Sequence, residues 1–187
     1  MTLPVQLSTP RLHLRQWLPE DFAPFAALNA DPQVMACFPS PLTPSQSDDL
    51  AARIQGNIAR DGWGFWALEL KATGAFIGFT GLNRPDGLPF SPCVEVGWRL
   101  AAAHWGKGLA TEAASAALDF AFNQLAETRV VAFTATTNRR SQAVMARLGM
   151  TDTGENFDHP SVPEDSPLRE HLLFRISAGV WLAAAGG

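Results

Sequence analysis

Val94-Glu95-Val96-Gly97-Trp98-Arg99-Leu100, followed after four residues by Trp105-Gly106-Lys107-Gly108-Leu109-Ala110-Thr111-Glu112-Ala113, reads as a strand that runs through a glycine turn into a helix. Val94, Val96, Trp98 and Leu100 alternate with Glu95, Gly97 and Arg99, the period of two that gives a strand one apolar face. From Ala110 the apolar positions 110, 113, 114, 117, 118, 121, 122 and 125 hold the i, i+3, i+4 spacing of a helix. Between the two, Gly106 and Gly108 remove Cβ atoms where backbone must approach a ligand, and the first N–H groups of the helix have no partner. A turn of this kind is an anion site with a pyrophosphate as natural occupant, and Lys107 adds charge. A nucleotide-hydrolysing loop would need Ser or Thr after the lysine, where Gly108 stands. A dinucleotide fingerprint would need glycine at Thr111 and an acid after the next strand, which instead ends Thr136-Thr137-Asn138. A glycine turn that only packs remains the plainest alternative.

Outward from this stretch, Leu12 and Leu14 alternate with Arg11, His13 and Arg15 as a first strand. A helix follows from Pro19-Glu20-Asp21 to about Ala30, stopped by Asp31-Pro32, and a second runs from Pro44–Ser47 to the Asp61-Gly62 turn. Residues 64–70 and 75–82 form a hairpin about Thr73-Gly74. The proline-rich 84–92 is a loop. Beyond the strong helix, 129–136 is a fifth strand, 138–148 a short helix closed by Gly149, and strands near 150–153 and 170–176 complete the chain. The expected fold is α+β in one domain spanning 1–187: a mostly antiparallel, seven-stranded mixed sheet in the order β-α-α-β-β-β-α-β-α-β-β.

The 187 residues are 47% hydrophobic and 17% charged, enough to bury a core. The net charge of -4 argues against a nucleic-acid partner. It is concentrated at 151–170, where Asp152, Glu155, Asp158, Glu164, Asp165 and Glu170 face Arg169 alone. Cys37 and Cys93 are too few for a disulfide framework or a zinc site, and read as buried thiols in a reducing compartment. The N-terminus lacks a long apolar run, and the apolar tail from Ala178 is about half a membrane span. The expectation is a cytoplasmic protein with no membrane partner and no metal. No motif chooses between monomer and homodimer.

The stretch quoted first resembles the acetyl-coenzyme A motif of GCN5-related N-acetyltransferases (GNAT), and more narrowly the RimJ/RimL-like branch that acetylates ribosomal-protein N-termini, with its small-molecule relatives. Asn138-Arg139-Arg140-Ser141, Arg147-Leu148-Gly149-Met150 and Thr9-Pro10-Arg11-Leu12-His13-Leu14-Arg15 match further parts of that branch, in its order, over about residues 7–177. Trp105 departs from the Gln or Arg that opens the general family's loop, although tryptophan recurs there in this branch. The resemblance implies the GNAT fold and acetyl-CoA as cofactor. It also implies transfer of the acetyl group to a primary amine, on a peptide N-terminus or a small molecule, by direct attack in a ternary complex. Trp98, Arg99 and Leu100 would pair their backbone with the pantetheine arm. Trp105, Gly106, Lys107, Gly108, Leu109, Ala110 and Thr111 would hold the pyrophosphate, with Asn138, Ser141 and Arg147 also against the cofactor. An acyl-CoA-binding module that has lost turnover would keep the same loop.

Amide formation from a thioester needs an amine that has lost its proton and a thiol leaving group that gains one. Many relatives protonate the thiol with a tyrosine, and this chain has 12 Phe, 6 Trp and no Tyr. Ser141 is the hydroxyl at the corresponding position, with a first-turn serine satisfying backbone as its other reading. Glu95 is the candidate base, against a surface ion pair with Arg99 or a water chain. Phe157, His159 and His171 are expected to line the acceptor cleft. Phe38 and Trp66, with Met35 and Trp63, are candidates for the opposite wall. The acidic 151–170 segment would attract a cationic amine, whether a ribosomal N-terminus, an aminoglycoside-like drug or a polyamine, or would simply be a solvated loop.

Overall fold

A computed structural model describes residues 4–185. Nine strands form one sheet: β1 (Leu7–Ser8), β2 (Leu12–Arg15), β3 (Phe65–Leu70), β4 (Phe76–Asn83), β5 (Glu95–Leu100), β6 (Arg129–Ala135), β7 (Thr151–Asp152), β8 (Phe157–Asp158) and β9 (Glu170–Ser177). The path is β1-β2-β3-β4-β5-β6-β9-β7, with β8 paired to β9. Every pairing is antiparallel except β5 with β6. The helices are α1 (Phe22–Ala30), α2 (Pro44–Asp61), α3 (Leu109–Asn123), α4 (Arg139–Arg147) and α5 (Ala178–Ala185). The expected α+β order is present. The two strands beyond the expected seven are β1 and β8, each two residues long. Residues 178–185, expected only as an apolar tail, form α5, tied to α3 by Trp181 Nε1 donating to Asp119 at 2.7 Å. No helix among the described residues is long and apolar enough to cross a membrane.

The two faces of the sheet bury different sets. Trp66 meets Phe120 of α3 edge-on at 5.6 Å, whereas its neighbour Phe65 packs on Phe79 at 5.1 Å, and Phe79 on Phe25 of α1. The alternation of side chains along a strand thus sends one residue to the α3 layer and the next to the α1 layer. Ala113, Ala114, Ala117 and Ala121 are buried. These small side chains let the α3 axis lie close to the sheet. α2 starts at a capping box, Thr43 accepting from Gln46 N–H while Gln46 accepts from Thr43 N–H, and ends at Gly62.

Candidate active site

β5 and β6 register at a single pair, Glu95 with Val131, and then part. Val131 N–H bonds to Val94 O on one side of β5, and Ala101 N–H bonds to Ile77 O on the other. Backbone groups alternate sides along a strand, so Val96, Trp98 and Leu100 turn theirs toward the gap, while Glu95, Gly97 and Arg99 turn theirs to β4. The expectation that Arg99 offers its backbone to a cofactor is therefore corrected: it faces Phe79. Leu100 O accepts from the Trp105 indole at 2.8 Å. The gap opens into a cleft of about 790 Å³, within the size range of a cofactor site.

At one end of the cleft lies the glycine turn. Gly106 and Gly108 have φ of 71° and 76°, conformations that non-glycine residues avoid, and no side chain caps α3. Leu109, Ala110 and Thr111 thus start the helix with free N–H groups at the cleft wall. The turn is braced from β2's approach. Arg11 donates from Nη1 to Lys107 O at 2.9 Å and from Nε to Glu112 at 2.6 Å, and Glu112 also accepts from Thr9. The Lys107 ammonium folds back onto Ala103 O at 2.8 Å and is not part of the cleft wall, contrary to expectation. Arg140 and Arg147, seven residues apart and so on one face of α4, line the cleft instead, Arg140 stacked over Trp105 at 4.5 Å.

Asn138 caps α4. Its Oδ1 accepts from Ser141 N–H at 3.2 Å, and its amide donates to Thr134 Oγ1 at 2.9 Å and Ser141 Oγ at 3.1 Å. The Ser141 hydroxyl therefore accepts from the cap, which leaves its own O–H free to donate into the cleft that it lines.

Across the gap is Glu95, whose carboxylate accepts from Asn83 at 3.2 Å and makes no ion pair with Arg99. Burial pushes it up to about 7, with the Asn83 bond pulling the other way. Asn83 is missing from the sequence reading because only the β4–β5 register sets it opposite Glu95. Phe38 lines this half and stacks on Arg99 at 4.1 Å. Trp66 does not: it is fully buried against α3, with Nε1 on Val5 O at 2.8 Å, and Phe65 takes the cleft position. The shift of one residue moves the side chain to the other face of the sheet. Met35 and Trp63 are buried likewise.

The third wall holds His159 and His171, ring centroids 4.9 Å apart. His171 Nδ1 lies 3.0 Å from Arg169 O. Burial holds both imidazoles below their usual value, with His171 adding to the effect on His159. Phe157 packs against both rings from behind, with Phe133 at the wall itself. The 151–170 segment borders the cleft through His159, Ser161 and Val162, but its carboxylates are not part of the wall: Asp158 pairs with Arg169 and Glu155 with Arg175, and Glu95 is the carboxylate residue lining the cleft among the described residues. β8 is the cause, since pairing with β9 fixes which residues face inward.

Free β5 backbone, uncapped helix N–H groups, Cβ-free turn and two arginines suit a long ligand with amide groups in its arm and phosphates at one end. The model of the acetyltransferase (GNAT) domain matches residues 11–151. The chain belongs to the GNAT acetyltransferase family. It is 32% identical over 151 residues to the uncharacterized Bacillus subtilis protein YkkB, covering 80% of this chain and 87% of that one. It is 29% identical over 163 residues to the FsC-acetyl coenzyme A-N(2)-transacetylase of Aspergillus fumigatus, covering 83% and 68%. A solved Agrobacterium tumefaciens acetyltransferase is 31% identical, superposes with a TM-score of 0.73, and the match covers 94% of this chain and 95% of that one. The cofactor of this GNAT acetyltransferase is acetyl-CoA, which supplies an acetyl group as a thioester. The residues of the cleft fit it.

Proposed function

We propose that this acetyltransferase transfers the acetyl group of acetyl-CoA to a primary amine while both are held in the one cleft. The observation that carries the reading is the convergence on that cleft of a glycine turn with arginines at one end, a gap of free strand backbone in the middle, and Glu95 and Ser141 from different strands and helices. The N–H groups of Leu109, Ala110 and Thr111, with Arg140 and Arg147, hold the phosphates, and Trp98 and Leu100 pair their backbone with the arm. The Trp98 N–H is the fixed donor for charge developing on the carbonyl oxygen. Glu95, poised near neutrality, takes the proton from the amine. Ser141, held by Asn138, gives a proton to the departing sulfur in place of the absent tyrosine. The Trp105-Gly106-Lys107-Gly108 loop and the Asn138–Ser141 cap support the RimJ/RimL-like branch as the narrower reading, in the cytoplasm, with a small amine or a protein N-terminus as acceptor.

The test is thiol release from acetyl-CoA in the presence of a panel of amines and N-terminal peptides. At least one acceptor is expected to accelerate release with formation of its N-acetyl product. Tight acetyl-CoA binding with no acceptor-dependent release across the panel would favour a binding module that has lost turnover.

A further inference from the structure

The acceptor half of the cleft contains a cation with no counter-charge. Arg99 leaves β5 on the same face as Glu95 and Gly97, and its guanidinium lies over Phe38 at 4.1 Å and 5.5 Å from the Phe79 ring centroid. Nη1 donates to Asn29 Oδ1 at 2.6 Å, whereas Nε is buried without a partner. No ion pair joins Arg99 to a described carboxylate. Burial lowers the group to about 10, so it stays cationic at neutral pH. α1, the α1–α2 loop and β4 thus offer it one neutral amide and two aromatic faces. Glu95 stands four residues along the strand, roughly 13 Å away between Cα atoms, and is bonded to Asn83.

A buried guanidinium is unfavourable unless an anion meets it, and its planar fork matches a carboxylate. Asn29 occupies Nη1 and Nε is closed off from solvent, which leaves Nη2, neither hydrogen-bonded nor buried, as the donor a ligand can reach from the cleft. The phosphate end has its own cations in Arg140 and Arg147, and the Arg99 backbone is committed to β4. We propose that Arg99 binds a carboxylate carried by the acceptor, so that the amine taken by this cleft belongs to a small amino acid. The amine half of this statement rests on the acetyl-transfer reading above; the carboxylate half does not. A protein N-terminus has a peptide carbonyl beside its amine, not a carboxylate, and a polyamine has neither. The aromatic walls at Phe38 and Phe79 suit an apolar remainder.

The experiment uses the full-length protein saturated with CoA or acetyl-CoA. The panel is α-, β- and γ-amino acids, their primary amides, and the corresponding acids lacking the amine, such as 4-methylpentanoate beside leucine and leucinamide. At least one amino acid is expected to be acetylated with KM lower than that of its amide by about tenfold or more, as for a charged hydrogen-bonded pair. The amine-free acid should bind by calorimetry, and Arg99→Gln should abolish both the preference and that binding while leaving the KM for acetyl-CoA unchanged. Equal treatment of acids and amides by the wild-type protein would overturn the assignment even if Arg99→Gln does not fold. Carboxylate binding lost in Arg99→Gln, with no amine acetylated, would uphold the Arg99 site and remove the transfer reading. Acetylation of amines with no preference for acids would do the reverse.

Discussion

At the scale of single residues, the proposed proton traffic runs through two side chains, Glu95 and Ser141, and each makes a separate claim. Glu95 is raised to about 7 because burial disfavours its charged form more than Asn83 favours it. Acting as base, it should give kcat/KM an acid limb near pH 7, and Asn83→Leu, which removes the bond to the charged form, should move that limb to higher pH. A pH–rate profile checks both; a limb unmoved in Asn83→Leu removes Glu95 from the proton path. The same shift acts on stability. A carboxyl raised in the folded state contributes stability at low pH that is lost as the pH rises through 7. Glu95→Gln should therefore melt higher than wild type at pH 8, by a margin that narrows toward pH 5. Ser141→Ala should lower kcat by about 10²-fold with affinity for acetyl-CoA little changed, and steady-state kinetics with unchanged kcat would assign Ser141 to capping alone. The place of Ser141 in a helix first turn was legible in the sequence, whereas the environment of Glu95 was not. Glu95 was visible as a carboxylate on a strand, but its desolvation and its Asn83 partner depend on which residues β4 places opposite.

At the scale of elements, the glycine turn before α3 is held by a conformation and by a brace. The conformation was legible, since two glycines before an amphipathic helix announce it. The brace was not, because Arg11 and Glu112 lie about a hundred residues apart. A Cβ at Gly108 would meet only the end of Arg11 at 3.5 Å, so the cost of Gly108→Val comes from φ of 76° rather than from crowding. It should destabilise the fold by about 1–2 kcal/mol and abolish acetyl-CoA binding without unfolding the chain. Arg11→Ala should raise the KM for acetyl-CoA while leaving the acceptor KM alone, since it frees Lys107 O and removes the charged partner of Glu112, which keeps only Thr9 and the backbone N–H of residue 11. Calorimetric titration of acetyl-CoA separates these outcomes. Long periodic elements such as α3 were read correctly, whereas β1 and β8, two residues each, are too short to show a period. The unread β8 also explains the acidic segment: its pairing with β9 directs His159 inward and sets Asp158 on Arg169.

At the scale of the whole molecule, the sheet divides the aromatic residues between an α3 layer that holds the fold together and an α1 layer whose Phe65 and Phe79 line the cleft. Trp66 and Phe65 are adjacent in sequence yet belong to different layers, and alternation alone does not say which face is which. Trp66→Phe, which loses the bond to Val5, should lower the melting temperature by about 2–4 °C for each kcal/mol lost and leave both substrate KM values unchanged. A changed acceptor KM would return Trp66 to the cleft wall. The central claim is that one cleft holds acetyl-CoA and the amine together, and thiol release measured while both concentrations are varied tests it most directly. Double-reciprocal lines that intersect are the predicted result; parallel lines, or release that no amine accelerates, would contradict it.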